Sequence, residues 1–162
     1  MVHHRWPPLN DLFVWLSDAG NHGLVWLALG LALSLAWRRA TPLVLVALAD
    51  AAADALAAVL KVAVGTHRPG AGDEPLITIP HSDSFPSGHA ATSFACATVL
   101  TALLPRAAPA FYVLALAIGY SRVYVGVHWP LDVVGGAVLG VATALLLLAG
   151  ARRRSVPLLR RG

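Results

Sequence analysis

The sequence predicts an all-α integral membrane protein, a polytopic helical bundle with one N-terminal interfacial helix and five transmembrane helices. Two observations carry this. Of 162 residues, 57% are apolar and only 12% charged, and the mean hydropathy is +0.69, more apolar than a water-soluble domain needs. The apolar residues also come in long blocks separated by short polar joints, which in lipid reads as a set of helices that satisfy their own backbone. No linker or low-complexity stretch divides the chain, so residues 1–162 are expected to form a single domain.

The elements follow in order. Met1 to Pro8 lacks an apolar core followed by a small-residue cleavage site, so no removable signal peptide is expected. Residues 9–19 place Leu9, Leu12, Phe13 and Leu16 at helical spacing among Asn10, Asp11, Ser17 and Asp18, as suits a helix lying in the interface. An uncharged run from His22 to Trp37, closed by Arg38 and Arg39, gives the first span at 22–39. The second, 42–65, carries Asp50, Asp54 and Lys61 on one helical face, which should turn toward the bundle interior. Residues 66–86, rich in Pro, Gly, Asp, His and Ser, form a polar loop. Spans at 88–104, 108–124 and 130–151 complete the bundle, with Pro105-Arg106 as a turn. Gly136 and Gly140 make a Gly-x-x-x-Gly step suited to close helix packing. Cys96 is the single cysteine and sits in an apolar run, so it reads as a small buried hydrophobe.

The net charge of +4 does not point to nucleic acid, because the basic residues are few and stand at helix ends. They do predict orientation. If loop 66–86 is outside, then Arg38, Arg39, Arg106, Arg152, Arg153, Arg154, Arg160 and Arg161 are inside, eight of the twelve Lys and Arg. The positive-inside rule thus puts the loop, the 121–130 joint and the N-terminal segment on the outer side of the plasma (inner) membrane, and the C-terminus in the cytoplasm. Trp6, Trp15 and Trp129 read as an interfacial belt.

Three clusters sit on that outer side and, Arg5 apart, hold the remaining Lys and Arg. These are Lys61 with Arg68-Pro69, then Pro86-Ser87-Gly88-His89, then Ser121-Arg122 with His128 and Asp132. Three cations, two histidines and one carboxylate at span ends describe an anion site. Guanidinium groups match phosphate oxygens, an ammonium adds a point charge, and Ser87 and Gly88 open a helix whose free N–H groups favour an anion. One histidine can then attack phosphorus as neutral imidazole while the other protonates the leaving group. Pro130 at the first helical position makes Asp132 the third helical residue, able to reach back and orient His128. His128 is therefore the expected nucleophile and His89 the general acid.

The spacing Lys61-x6-Arg68-Pro69, the block Pro86-Ser87-Gly88-His89 and Ser121-Arg122-x5-His128-x3-Asp132 together resemble the three-part signature of the type 2 phosphatidic acid phosphatase superfamily, and the surrounding helices resemble its bacterial membrane members. The resemblance implies a six-helix core and hydrolysis of a lipid phosphate through a phosphohistidine at His128, with Asp132 orienting it and His89 as acid. It further implies that Lys61, Arg68, Ser87, Gly88 and Arg122 bind phosphate and that no metal or other cofactor takes part. A polyprenyl diphosphate such as undecaprenyl diphosphate is the favoured substrate, with phosphatidate or phosphatidylglycerophosphate as rivals. Transfer of the phosphoryl group to an acceptor lipid and, from another class, anion transport remain alternatives. His3, His4, His22, His67 and His81 match no motif position.

Overall fold

The computed structural model describes residues 6–69 and 75–153, so His3, His4, Arg5, Arg154, Arg160 and Arg161 lie outside the described residues. Over those residues the chain forms six α-helices and no strand: α1 (Asn10–Ala19), α2 (Leu24–Trp37), α3 (Thr41–Val64), α4 (Gly88–Leu103), α5 (Ala108–Tyr124) and α6 (Pro130–Arg153). Short 3-10 turns at Pro7–Leu9, Asn21–Gly23 and Pro105–Ala107 lead into α1, α2 and α5.

Backbone chemistry sets the helix ends. Gly23 and Arg38 both adopt left-handed conformations, with φ of 63° and 53°, so α2 is trimmed at each end relative to the 22–39 expected from the apolar run. Gly65, at φ 64°, ends α3 and donates its N–H to the Lys61 carbonyl at 3.0 Å. Prolines start three helices where no N–H is needed, Pro42 in α3, Pro109 in α5 and Pro130 in α6.

α3 and α6 have 24 residues each, so each reaches ~36 Å, beyond the ~30 Å hydrocarbon layer. They are long and apolar enough to cross a membrane alone, and α1 and α2 would supply a third crossing if they act as one span bent by 62°. α4 and α5, at 16 and 17 residues, reach only ~24–26 Å. The chain is thus an all-helical integral membrane bundle. Its outward Val59, Val62, Val113, Val138 and Leu146 are exposed, as lipid-facing side chains should be.

α4 is the central helix. Ala90, Ala91, Ala95, Cys96, Ala97 and Val99 are wholly buried, and α3, α5 and α6 pack around it. Without a hydrophobic drive between helices in lipid, such small residues let backbones approach and gain dispersion contacts. Gly136 and Gly140 of α6 face this surface; a side chain at Gly136 would stand 2.9 Å from the Ala90 Cβ and would meet the Ser87 carbonyl. Polar bonds fix the register of α2: Trp26 Nε1 donates to Ser93 Oγ at 3.1 Å and Ser34 Oγ accepts the Leu43 N–H at 2.9 Å. This packing gathers the ends of α3 and α5 and the starts of α4 and α6 at one end of the bundle.

Candidate active site

The site begins with a tight turn between α5 and α6. Gly126, at φ 85°, lets the chain reverse, so that the N–H groups of Val127 and His128 both donate to the Arg122 carbonyl at 3.2 Å. α6 then starts at Pro130 with Asp132 as its third residue, and Asp132 Oδ2 accepts the Trp129 N–H at 2.8 Å, the reach-back geometry of a helix N-terminus. The same oxygen lies 3.2 Å from His128 Nδ1. Both side chains are buried, His128 at 4% and Asp132 at 3% exposure.

The other face of the ring decides its tautomer. Arg68 Nη1 stands 3.2 Å from His128 Nε2, and a guanidinium can only donate, so Nε2 must present a lone pair and Nδ1 must carry the proton toward Asp132. Burial pushes the His128 pKa down to about 4, with the nearby Asp132 opposing and the charges of Arg68, Arg122 and Lys61 adding to the depression. The ring is therefore neutral at pH 7, and the protonated form appears only as the pH falls through about 4. A ring-nitrogen NMR titration of the substrate-free protein, with His128→Asn to assign the signal, should show its midpoint there; a midpoint at about 6 or above, the ordinary imidazole range, would contradict it.

Two of the three cations are held by loop carbonyls. Arg68 donates through Nε to the Ser82 carbonyl at 2.8 Å, through Nη1 to the Val127 carbonyl at 2.8 Å, and through Nη2 to Ser82 Oγ at 3.1 Å. Burial moves its pKa below the usual guanidinium value, opposed by Asp132 and Asp83, and it stays charged. Lys61 Nζ donates to the carbonyls of Asp83 at 2.7 Å and Ser84 at 3.1 Å. Arg122 is buried, its Nη1 donating to Ser17 Oγ of α1. Its Nε, like Ser87 Oγ, is a buried polar atom without a hydrogen-bond partner among the described residues. Buried polar groups are rarely left so, and both belong to the expected phosphate-binding set.

Ser87 joins the cluster through its backbone, its N–H donating to the Asp132 carbonyl at 2.9 Å, and Gly88 is the first residue of α4. His89 is turned elsewhere. Its Nε2 lies 2.9 Å from Asn21 Oδ1, and it lines a polar cavity of about 410 Å³ with Asn21, Asp50, Asp54 and Thr92. A second, mostly apolar cavity of about 610 Å³ abuts Asp132 and is walled by Val64, His67, Phe85, Trp129, Leu131 and Val134.

Sequence reasoning missed three residues of this site. Ser84, wholly buried, donates its Oγ to Asp132 Oδ2. Ser17 engages Arg122, and Asn21 engages His89. Serines and asparagines in polar segments carry no pattern of their own, and the latter two contacts join residues 105 and 68 positions apart.

Residues 40–155 match the family model of the PAP2 superfamily. The chain is 35% identical over 147 residues to decaprenylphosphoryl-5-phosphoribose phosphatase of Mycobacterium tuberculosis, covering 86% of this chain and 80% of that protein. It is 35% identical over 137 residues to an undecaprenyl-diphosphatase of Sulfolobus acidocaldarius, covering 82% of this chain and 66% of that one. Against its curated relatives the match spans from 32% to 80% of their own length. Among solved structures, Aquifex aeolicus LpxE superposes with a TM-score of 0.76 at 28% identity, over 91% of this chain and 90% of that one.

The helical membrane bundle and these matches together mark a membrane phosphatase of the lipid-phosphate class. The chain belongs to the PAP2 superfamily, and the expectation of a phosphatase of that class is borne out.

Proposed function

We propose that the protein removes phosphate from a polyprenyl diphosphate at the outer face of the membrane, through a phosphohistidine on His128. The observation that carries this is the position of the His128 ring. One nitrogen is on Asp132 at 3.2 Å, the other faces the Arg68 guanidinium at 3.2 Å, and a mostly apolar cavity of about 610 Å³ lies beside Asp132. Charged head and apolar tail thus have adjoining places.

In the first step the Nε2 lone pair of His128 forms a bond to phosphorus while the bond to the leaving oxygen breaks, and His89, its ring turned from Asn21 toward the substrate, gives that oxygen a proton. The ring becomes a cation, stabilised by Asp132 through Nδ1–H. Lys61, Arg68 and Arg122, with Ser87 Oγ and the Gly88 N–H, hold the phosphoryl oxygens. Arg122 Nε and Ser87 Oγ would gain the partners they lack. In the second step water attacks phosphorus, the P–N bond breaks, His89 takes the water proton, and inorganic phosphate leaves. Two relatives bear names with polyprenyl substrates, which favours that tail over a diacylglycerol. The arginines at the opposite ends of the helices support an outward site.

Purified protein in detergent with a chelator is expected to release phosphate from polyprenyl diphosphate faster than from polyprenyl phosphate, phosphatidate or phosphatidylglycerophosphate. A quenched reaction should trap acid-labile, base-stable phosphate on the protein. Release from none of these lipids would overturn the proposal, and faster release from phosphatidate would overturn its substrate.

A further inference from the structure

We infer that Ser84 is a positioning residue for the phosphoryl-transfer step, holding Asp132 and with it the proton on His128 Nδ1, so that Nε2 stays available to phosphorus. The inference rests on the proposed reaction at His128.

Ser84 is placed with little freedom. Its N–H donates to the Thr66 carbonyl at 2.8 Å, the next N–H, that of Phe85, donates to Thr66 Oγ1 at 2.8 Å, and its own carbonyl accepts Lys61 Nζ at 3.1 Å. The side chain is wholly buried. Its Oγ donates to Asp132 Oδ2 and stands 3.4 Å from His128 Nδ1. A hydroxyl has one proton, and this one is given to the carboxylate, so only lone pairs are left to face Nδ1. Nδ1 therefore looks onto two acceptors, Asp132 Oδ2 and Ser84 Oγ.

The second acceptor matters when substrate arrives. In the free protein Arg68 alone suffices to keep the lone pair on Nε2, since it faces that atom as a donor. A bound phosphate draws Arg68 to its own oxygens and puts acceptors in front of Nε2, which invites the proton to move there and silences the nucleophile. Asp132 and Ser84 oppose that shift from behind the ring. The charged groups acting on His128 are Lys61 from α3, Arg68 from the loop, Arg122 from α5 and Asp132 from α6; Ser84 is the uncharged group that joins the loop to the carboxylate. It also ties the Lys61 end of the site to the His128 end, one residue bridging two clusters far apart in sequence.

The test combines kinetics with ring-nitrogen NMR. Ser84→Ala is expected to lower kcat by about 10- to 100-fold with KM changed little, the effect of losing a hydrogen bond to a charged group that acts in the transition state. Ser84→Thr, which keeps the hydroxyl, should recover most of the rate. In an Asp132→Asn background, Ser84→Ala should cost less than about threefold, because the residue it acts through is already altered. With inorganic phosphate bound, the His128 signal should be the Nδ1–H form in the wild type and show the Nε2–H form in Ser84→Ala. Should Ser84→Ala not fold, Ser84→Cys, close in size and a weak donor, is expected to show the same losses. A kcat within about twofold of wild type with His128 still wholly Nδ1–H would overturn the inference, as would full additivity with Asp132→Asn. A wild type inert on every lipid phosphate would instead defeat the proposed function, and the ring-nitrogen spectra would then decide Ser84 alone.

Discussion

His128→Ala is expected to lower phosphate release by about 10⁴-fold or more while leaving the bundle folded, as loss of the attacking group does in enzymes with a covalent intermediate. The fold should survive because the ring's removal strands nothing: Asp132 Oδ2 still accepts from Ser84 Oγ and from the Trp129 N–H at 2.8 Å, and Arg68 keeps its bonds to the Ser82 and Val127 carbonyls. Activity and stability are thereby separable at this position. KM should change little, since the cations that grip the phosphate remain. Added imidazole, small enough for the vacated space, should restore part of the rate, and no phosphate should be trapped on the protein. More than about a hundredth of wild-type turnover, measured on protein of unchanged melting temperature, would mean that another group attacks phosphorus.

The site was legible wherever chemistry is written into local spacing. Pro130 fixes the first turn of α6, so Asp132 had to reach back over Trp129 and His128, and its Oδ2 does so. Lys61, Arg68 and Arg122 stand out because charges at the outer span ends are few. The helices were legible for the same reason, as uninterrupted apolar runs; their limits moved by a few residues where Gly23 and Arg38 take left-handed conformations that no hydropathy pattern encodes. What stayed hidden depends on tertiary contact. The Arg122–Ser17 bond exists because α1 packs on α5. The direction of His89 toward Asn21 and the cavity it shares with Asp50 and Asp54 depend on how the turn before α2 meets α4. Asp50 and Asp54 share a face of α3 with Lys61, as their spacing predicts, but only the fold puts the first two beside His89. Ser84 was invisible because a serine in a polar loop is the default residue there.

The largest expected effect on folding falls at Gly140. A Cβ built there would meet the Ala91 carbonyl oxygen and lie 2.9 Å from the Ala95 N and 3.0 Å from the Ala91 carbonyl carbon. All three are backbone atoms of α4, so no side chain can rotate away and the helices must separate. Overpacking of this kind costs about 1–3 kcal/mol and at times more, and the small residues lining α4 would lose contacts along its length. Gly140→Val should therefore give protein that is poorly extracted or melts many degrees lower. Gly150→Ala on the same helix, with nothing within 4 Å of its Cβ, should be neutral or stabilising by up to about 1 kcal/mol. Gly140→Ala tests the coupling between fold and site. α6 carries Asp132, and α4 begins at Ser87, whose N–H is bonded to the Asp132 carbonyl at 2.9 Å. Prising the helices apart two turns below displaces the phosphate-binding helix start from the His128–Asp132 pair, so any folded fraction should hydrolyse lipid phosphate more slowly than wild type. A Gly140→Val protein with wild-type melting and turnover would show that α4 and α6 do not meet as closely as these contacts require.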